Sequence, residues 1–159
     1  MTRATERIGR SGEYLTCSVI ARETDTVTVM PHGANADIIF EWENKMYRCQ
    51  VKTVTHIEKA RNSWRFDLRK GSHSKSREYK ENTIDIFALV NLKYQNVYFL
   101  PFNNCKYLQY SVHDEPMKAV NSIESFREAM DAINSTDDRR IGISVHDIPL
   151  EKPQKLAVI

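Results

Sequence analysis

Glycine, cysteine and histidine are scarce in this 159-residue chain, and each scarcity closes off a kind of chemistry. Five glycines, none adjacent to another, leave neither a phosphate-cradling loop nor a dinucleotide-binding fingerprint. Three widely spaced cysteines, Cys17, Cys49 and Cys105, are an odd number without ligand spacing, so they read as reduced thiols rather than a disulfide framework or zinc site. The five histidines, at 32, 56, 73, 113 and 146, have no metal-binding spacing and no Ser–His–Asp pattern around them. No apolar run is long enough to span a bilayer, and the first residues lack an apolar signal region. A soluble, cytoplasmic protein without a membrane partner is expected. At 41% hydrophobic and 28% charged residues, the chain has the means for one sizeable core, and residues 1–159 are expected to form a single domain.

Net charge is only +2, but it is uneven. Residues 1–113 hold 17 Lys/Arg against 12 Asp/Glu, whereas residues 114–151 hold 4 against 9. The first part therefore has the sign to meet a polyanion, and the second should lie away from it.

What is present is concentrated between Asp37 and Lys52. Two aromatic-rich runs, Ile38 to Trp42 and Met46 to Lys52, flank an Asn-containing turn and predict a β-hairpin. With Asn44-Lys45 as a two-residue loop, Glu43 faces Met46, Ile38 faces Val51 and Asp37 faces Lys52. One face then collects Ile38, Phe40, Trp42, Tyr47, Cys49 and Val51. The other collects Asp37, Ile39, Glu41, Arg48, Gln50 and Lys52. A one-residue slip would scramble both faces. A carboxylate, a carboxamide and an ammonium are thereby brought to one end of the hairpin. Asp37 can ligate a hard cation, Gln50 and the Val51 carbonyl can add neutral oxygens, and Lys52 can offset charge or acidify an attacking water. The plainer alternative is an Asp–Lys cross-strand ion pair on a solvated sheet face.

Upstream, Ile8 to Arg22 predicts a helix, with Leu15 and Val19 one turn apart and Glu13 placed to swing toward the sheet as a further carboxylate. Thr26 to Met30 is a short strand, and Pro31 to Ala36 a turn-rich loop in which His32 precedes Asp37. Downstream, Trp64 to Leu68 is a strand leading into a basic stretch. Arg65, Arg69, Lys70, Ser72, His73, Lys75, Arg77 and Lys80 have the composition of a loop that follows a phosphate backbone. Arg3, Arg7 and Arg10, near the first helix, are further candidates. Ile84 to Val90 predicts a central strand, with Asp85 more plausibly structural than catalytic, and Val97 to Phe102 a further strand. The fold class is α/β, a mixed sheet of about five strands flanked by helices.

In this order the pieces resemble the PD-(D/E)XK nuclease superfamily, in the branch where Gln replaces the second acidic residue. Intron-associated homing endonucleases of cyanobacteria and their phages belong to it. Gly12-Glu13, Pro31-x-Gly33, Asp37-Ile38-Ile39, Gln50-Val51-Lys52-Thr53, Tyr79, Ile84 to Ala88 and Val97 to Pro101 carry the resemblance, which covers roughly residues 9–102, about three fifths of the chain. It implies a restriction-endonuclease-like core over about 8–102, Mg²⁺ dependence with Mn²⁺ as substitute, and hydrolysis of double-stranded DNA at a specific site. Asp37, Gln50, Lys52 and Glu13 would be the catalytic set, with Asp37, Gln50, the Val51 carbonyl and Glu13 as metal ligands. Cutting both strands from one site per copy implies a homodimer or a dimer of dimers, and a phage origin would place it in the host cytoplasm. A Holliday-junction resolvase or a non-catalytic DNA-binding relic could share this core, and a bystander α/β protein is the remaining alternative. Beyond Asn103 the resemblance fades. Asn121 to Glu124 is a capping box, opening an amphipathic helix at about 122–134 in the extension 103–159.

Overall fold

A computed structural model describes residues 2–70, 79, 83–102 and 108–140, the last five by backbone alone. The elements run α1 (Arg3–Ile20), β1 (Val27–Val29), β2 (Ile38–Trp42), β3 (Lys45–Val54), β4 (Ser63–Asp67), β5 (Ile86–Asn91), β6 (Asn96–Pro101), β7 (Gln109–His113), α2 (Asp114–Lys118) and α3 (Ser122–Arg140). Five strands form a mixed sheet in the order β1-β2-β3-β5-β6, and β4 pairs with β7 in a separate two-stranded sheet. Only β3 and β5 are parallel. The expected α/β class with its five-stranded sheet is what the chain forms.

β5 is buried at every residue, as a strand covered on both faces must be. On one side Ile38, Phe40, Tyr47, Cys49 and Val51 pack with Val19 and Ile20 of α1 and with Phe126 and Met130 of α3. On the other, Phe87 and Leu89 meet Trp64 and Phe66 of β4, Tyr110 and Val112 of β7, and Met117 of α2. The edge strand β6 is closed by α3. Ser122 Oγ accepts from the Val97 N–H at 2.9 Å and Ser125 Oγ from the Phe99 N–H at 2.8 Å, so an edge that would otherwise recruit another strand is occupied.

Several boundaries differ from expectation. α1 begins at Arg3 rather than Ile8, because Thr2 caps it through Thr5 N–H. α3 starts where the capping box predicts, with Asn121 Oδ1 accepting from Ile123 and Glu124, but runs on to Arg140. The strand β4, expected at Trp64 to Leu68, lies outside the main sheet, and its partner β7, like α2, is too short to carry a sequence period of its own.

The hairpin register also moves. The loop is Glu43-Asn44, both at positive φ (49° and 63°), the signature of a type I′ turn. Trp42 pairs with Lys45 and Ile38 with Cys49, two residues away from the expected alignment. A two-residue shift leaves every side chain on its expected face, so the apolar and polar sets stand. Partners change, however, and Asp37 now aligns with Gln50 rather than Lys52. Asparagine tolerates the left-handed region well, which favours Asn44 as the second turn residue over Lys45.

Candidate active site

Asp37 enters β2 from the Pro31 to Ala36 loop, and backbone bonds hold it at both ends. Its N–H donates to the Cys49 carbonyl at 3.0 Å, and its carbonyl accepts from Met30 at 2.8 Å. Its side chain takes the next amide along β3, the Val51 N–H, through Oδ2 at 2.8 Å. The amide and carbonyl of one strand residue point the same way. The Val51 carbonyl therefore faces the Asp37 side rather than β5. Asp37 Oδ1 accepts no hydrogen bond among the described residues.

Glu13 reaches this point because α1 lies unusually close to β3. A Cβ on Gly12 would stand 1.9 Å from Thr53 Oγ1, so with Thr53 in place glycine is what permits that approach. Burial raises the Glu13 pKa first, and the nearby negative charge of Asp37 raises it further, against His32 and Arg10. Burial likewise raises Asp37, against the Val51 N–H, Lys52 and His32. Two carboxyls thus share a partly dehydrated corner with too few donors. The Gln50 side chain, half-buried on the polar face, makes no hydrogen bond among the described residues. Lys52 does not face Asp37 across the strands. Its Nζ donates to the Arg69 carbonyl at 2.6 Å and lies 5.3 Å from the centre of the Tyr79 ring. Its charge still acts on Asp37.

The Arg69 carbonyl is itself fixed. Asp67 Oδ1 accepts from the Arg69 N–H at 3.0 Å and from Nε at 2.8 Å, while Oδ2 takes the second guanidinium nitrogen at 2.8 Å. Asp67 therefore anchors the segment that holds Lys52. That i, i+2 clamp has no sequence signature and was not anticipated. Burial, then Asp37 and Asp67, pushes the Tyr79 hydroxyl far above its ordinary range, so the ring offers Lys52 a neutral face. Tyr79 is braced edge-on by Phe87, with ring centres 5.6 Å apart.

Of the residues expected to meet DNA, Arg69 is thus engaged by Asp67. Arg65 gives Nε to Gln109 Oε1 at 3.0 Å on the exposed face of the small sheet. Lys70 lies over Tyr79 at 5.7 Å, beside the site. Ser72, His73, Lys75, Arg77 and Lys80 fall outside the described residues, as does Cys105. Asp85 serves as structure, since Oδ2 takes the Arg48 N–H at 2.7 Å and its backbone ties β3 to Phe102, just past β6.

Among the described residues no three His, Cys, Asp or Glu side chains converge as a metal cage. The donor set here is two carboxylates, a carboxamide oxygen and a backbone carbonyl. Magnesium is commonly held by one or two carboxylates with water and substrate phosphate completing its shell, and this set fits that habit. A cation would also relieve the repulsion between Glu13 and Asp37.

No protein-family model matches the sequence, and no curated relative matches it. The fold is similar to that of a solved structure, the bacterial homing endonuclease I-Ssp6803I. The TM-score is 0.57 at 15% identity, over 86% of this chain and 96% of that one. At this identity the likeness carries the fold. It extends beyond residues 9–102, the stretch over which the sequence resemblance runs. No helix among the described residues is long and apolar enough to cross a membrane.

Proposed function

We propose that this chain is a Mg²⁺-dependent, site-specific endodeoxyribonuclease of the homing type, with Mn²⁺ able to replace Mg²⁺, acting as a homodimer or dimer of dimers. The observation that supports the reading is the electrostatic coupling of Asp37 to both Glu13 and Lys52, with Gln50 opposite Asp37 in the hairpin register, in a fold like that of a homing endonuclease. Asp37 and Glu13 would hold the cation, with Gln50 and the Val51 carbonyl as neutral oxygens. When bound, Mg²⁺ supplies Lewis-acid polarisation of the scissile phosphate and favours ionisation of the attacking water. Lys52, anchored by the Arg69 carbonyl, places positive charge where negative charge builds as water adds to phosphorus and the bond to the leaving sugar oxygen breaks. Lys70, beside Tyr79, stands where a neighbouring phosphate can be met.

The test is cleavage of a library of long duplexes and of four-way junctions, in Mg²⁺ and in EDTA, with Lys52→Ala alongside. Mg²⁺-dependent cuts at one duplex site, absent in the variant, are expected. Cuts confined to junctions would make the protein a resolvase, and a Lys52→Ala protein that cuts at the normal rate would refute the assigned chemistry.

A further inference from the structure

The outer face of α1 carries a feature that the site does not use. Arg3, Arg7, Arg10 and Tyr14 recur at spacings of four, three and four. At 3.6 residues per turn they fall within an arc of roughly 60°. Gly12, Thr16 and Val19 face the sheet from the opposite side. All four stripe residues are exposed, and Tyr14, at 60%, is the most exposed large hydrophobic side chain described. None of the three arginines makes an ion pair or a side-chain hydrogen bond among the described residues.

For the isolated helix this placement is unfavourable twice over. The cations crowd the N-terminal half, where the helix dipole favours negative charge, and the last turn holds no basic residue. Arg3–Arg7 and Arg7–Arg10 are also like-charge neighbours at i, i+4 and i, i+3. Glu6, an exposed acid in the first turn, is an i, i+3 neighbour of Arg3 and an i, i+4 neighbour of Arg10, so it offsets part of this repulsion, but it forms no ion pair with them among the described residues. An external anion would relieve both penalties. Arg10 connects the stripe to the site, since its charge already acts on Glu13 one turn away.

We infer that this stripe is a phosphate-contact track for duplex DNA flanking the cleaved bond. The inference rests on the nuclease reading above and extends its footprint. Arg3 to Arg10 covers roughly 10 Å at 1.5 Å per residue. That is about three base-pair steps along one strand at 3.4 Å each. Tyr14 adds a hydroxyl of the kind that also contacts phosphate oxygens. The stripe is one side chain wide with a single aromatic, so it lacks the broad apolar face that a membrane-lying helix needs.

The test uses the full chain carrying Asp37→Asn, and a 40-bp duplex of arbitrary sequence in EDTA, with Kd measured across roughly 50 to 300 mM KCl. Each phosphate neutralised contributes about 0.9 to the slope of log K against log salt. Adding Arg3→Gln, Arg7→Gln and Arg10→Gln together should lower the slope by about 2 to 3, and the three Arg→Lys changes should largely keep it. A slope unchanged by the triple Gln variant, in a parent that binds DNA, overturns the inference and leaves the nuclease reading standing. A parent without affinity even at 50 mM KCl overturns both. Circular dichroism of the triple variant confirms that α1 is intact.

Discussion

Two carboxylates of this protein, Asp37 and Asp114, stand in opposite electrostatic circumstances. Asp114, at the start of α2, is saturated with donors. Its Oδ1 accepts from Trp64 Nε1 at 2.9 Å and the Tyr94 hydroxyl at 2.5 Å, and its Oδ2 pairs with Lys118 Nζ at 3.1 Å. The bonds from Tyr94 and Trp64, ahead of Lys118, lower its pKa to about 2. It ties β4, the β5–β6 turn and α2 together, and its ligands are complete. The Asp37 carboxylate accepts one hydrogen bond among the described residues, has a second carboxyl nearby and a raised pKa. A fold that satisfies one aspartate so fully has buried another beyond what the Val51 N–H, Lys52 and His32 offset. The difference separates a structural carboxylate from one whose perturbed ionisation fits the proposed cation site.

The sharpest break in the comparison is catalytic. Asp37→Asn or Lys52→Ala should lower DNA cleavage by about 10² to 10³-fold or more, leaving duplex binding largely in place, while Asp114→Asn should cut at close to the normal rate. Rates and Kd measured on one substrate check this. Next is the anchor of Lys52. Asp67→Ala frees Arg69 and should slow cleavage by about tenfold, as loss of a residue supporting a site commonly does. In a Lys52→Ala background it should add little, because the two act through one ammonium.

The approach of α1 can be tested by Gly12→Ala, whose new Cβ collides with Thr53. Overpacking of this kind costs about 1 to 3 kcal/mol. Chemical denaturation should show that loss, with partial recovery in the Thr53→Ala double variant, and cleavage should fall as Glu13 moves from Asp37.

The smallest effect is the most diagnostic, because its sign differs at the two centres. Raised carboxyls such as Asp37 and Glu13 contribute stability below their unfolded pKa values and lose it as pH rises through the folded ones. At neutral pH the pair is therefore a liability in the metal-free protein. Asp37→Asn, which keeps an acceptor for the Val51 N–H, should raise Tm by about 2 to 4 °C at pH 7, with the gain shrinking toward pH 4. Asp114, depressed to about 2, stabilises above its unfolded value of 3.8 and loses that contribution as pH falls toward 2. Asp114→Asn should therefore lower Tm at pH 7.

How much of this was legible in the sequence depends on the range of each interaction. The hairpin faces could be read, because alternation along Ile38 to Trp42 and Tyr47 to Val51 is local and strict. The register could not, since a shift of two preserves every face; only the tolerance of Asn44 for positive φ marks the turn. β5 was visible as an apolar run, whereas β7 alternates over just five residues and α2 is too short for a helical period. Asp114 was invisible because Trp64 and Tyr94 lie 50 and 20 residues away. Gly12 was visible as text beside Glu13, but the reason for it, Thr53 on another element, was not.

The most direct measurement is a Mg²⁺ titration of the DNA-free protein, followed by calorimetry and by Tm, with Asp37→Asn and Asp114→Asn in parallel. The account predicts that Mg²⁺ binds and raises Tm in the wild type and in Asp114→Asn, and that both responses vanish in Asp37→Asn. An equal response in Asp37→Asn, or none in the wild type at millimolar Mg²⁺, would contradict the claim that Asp37 and Glu13 form a cation site.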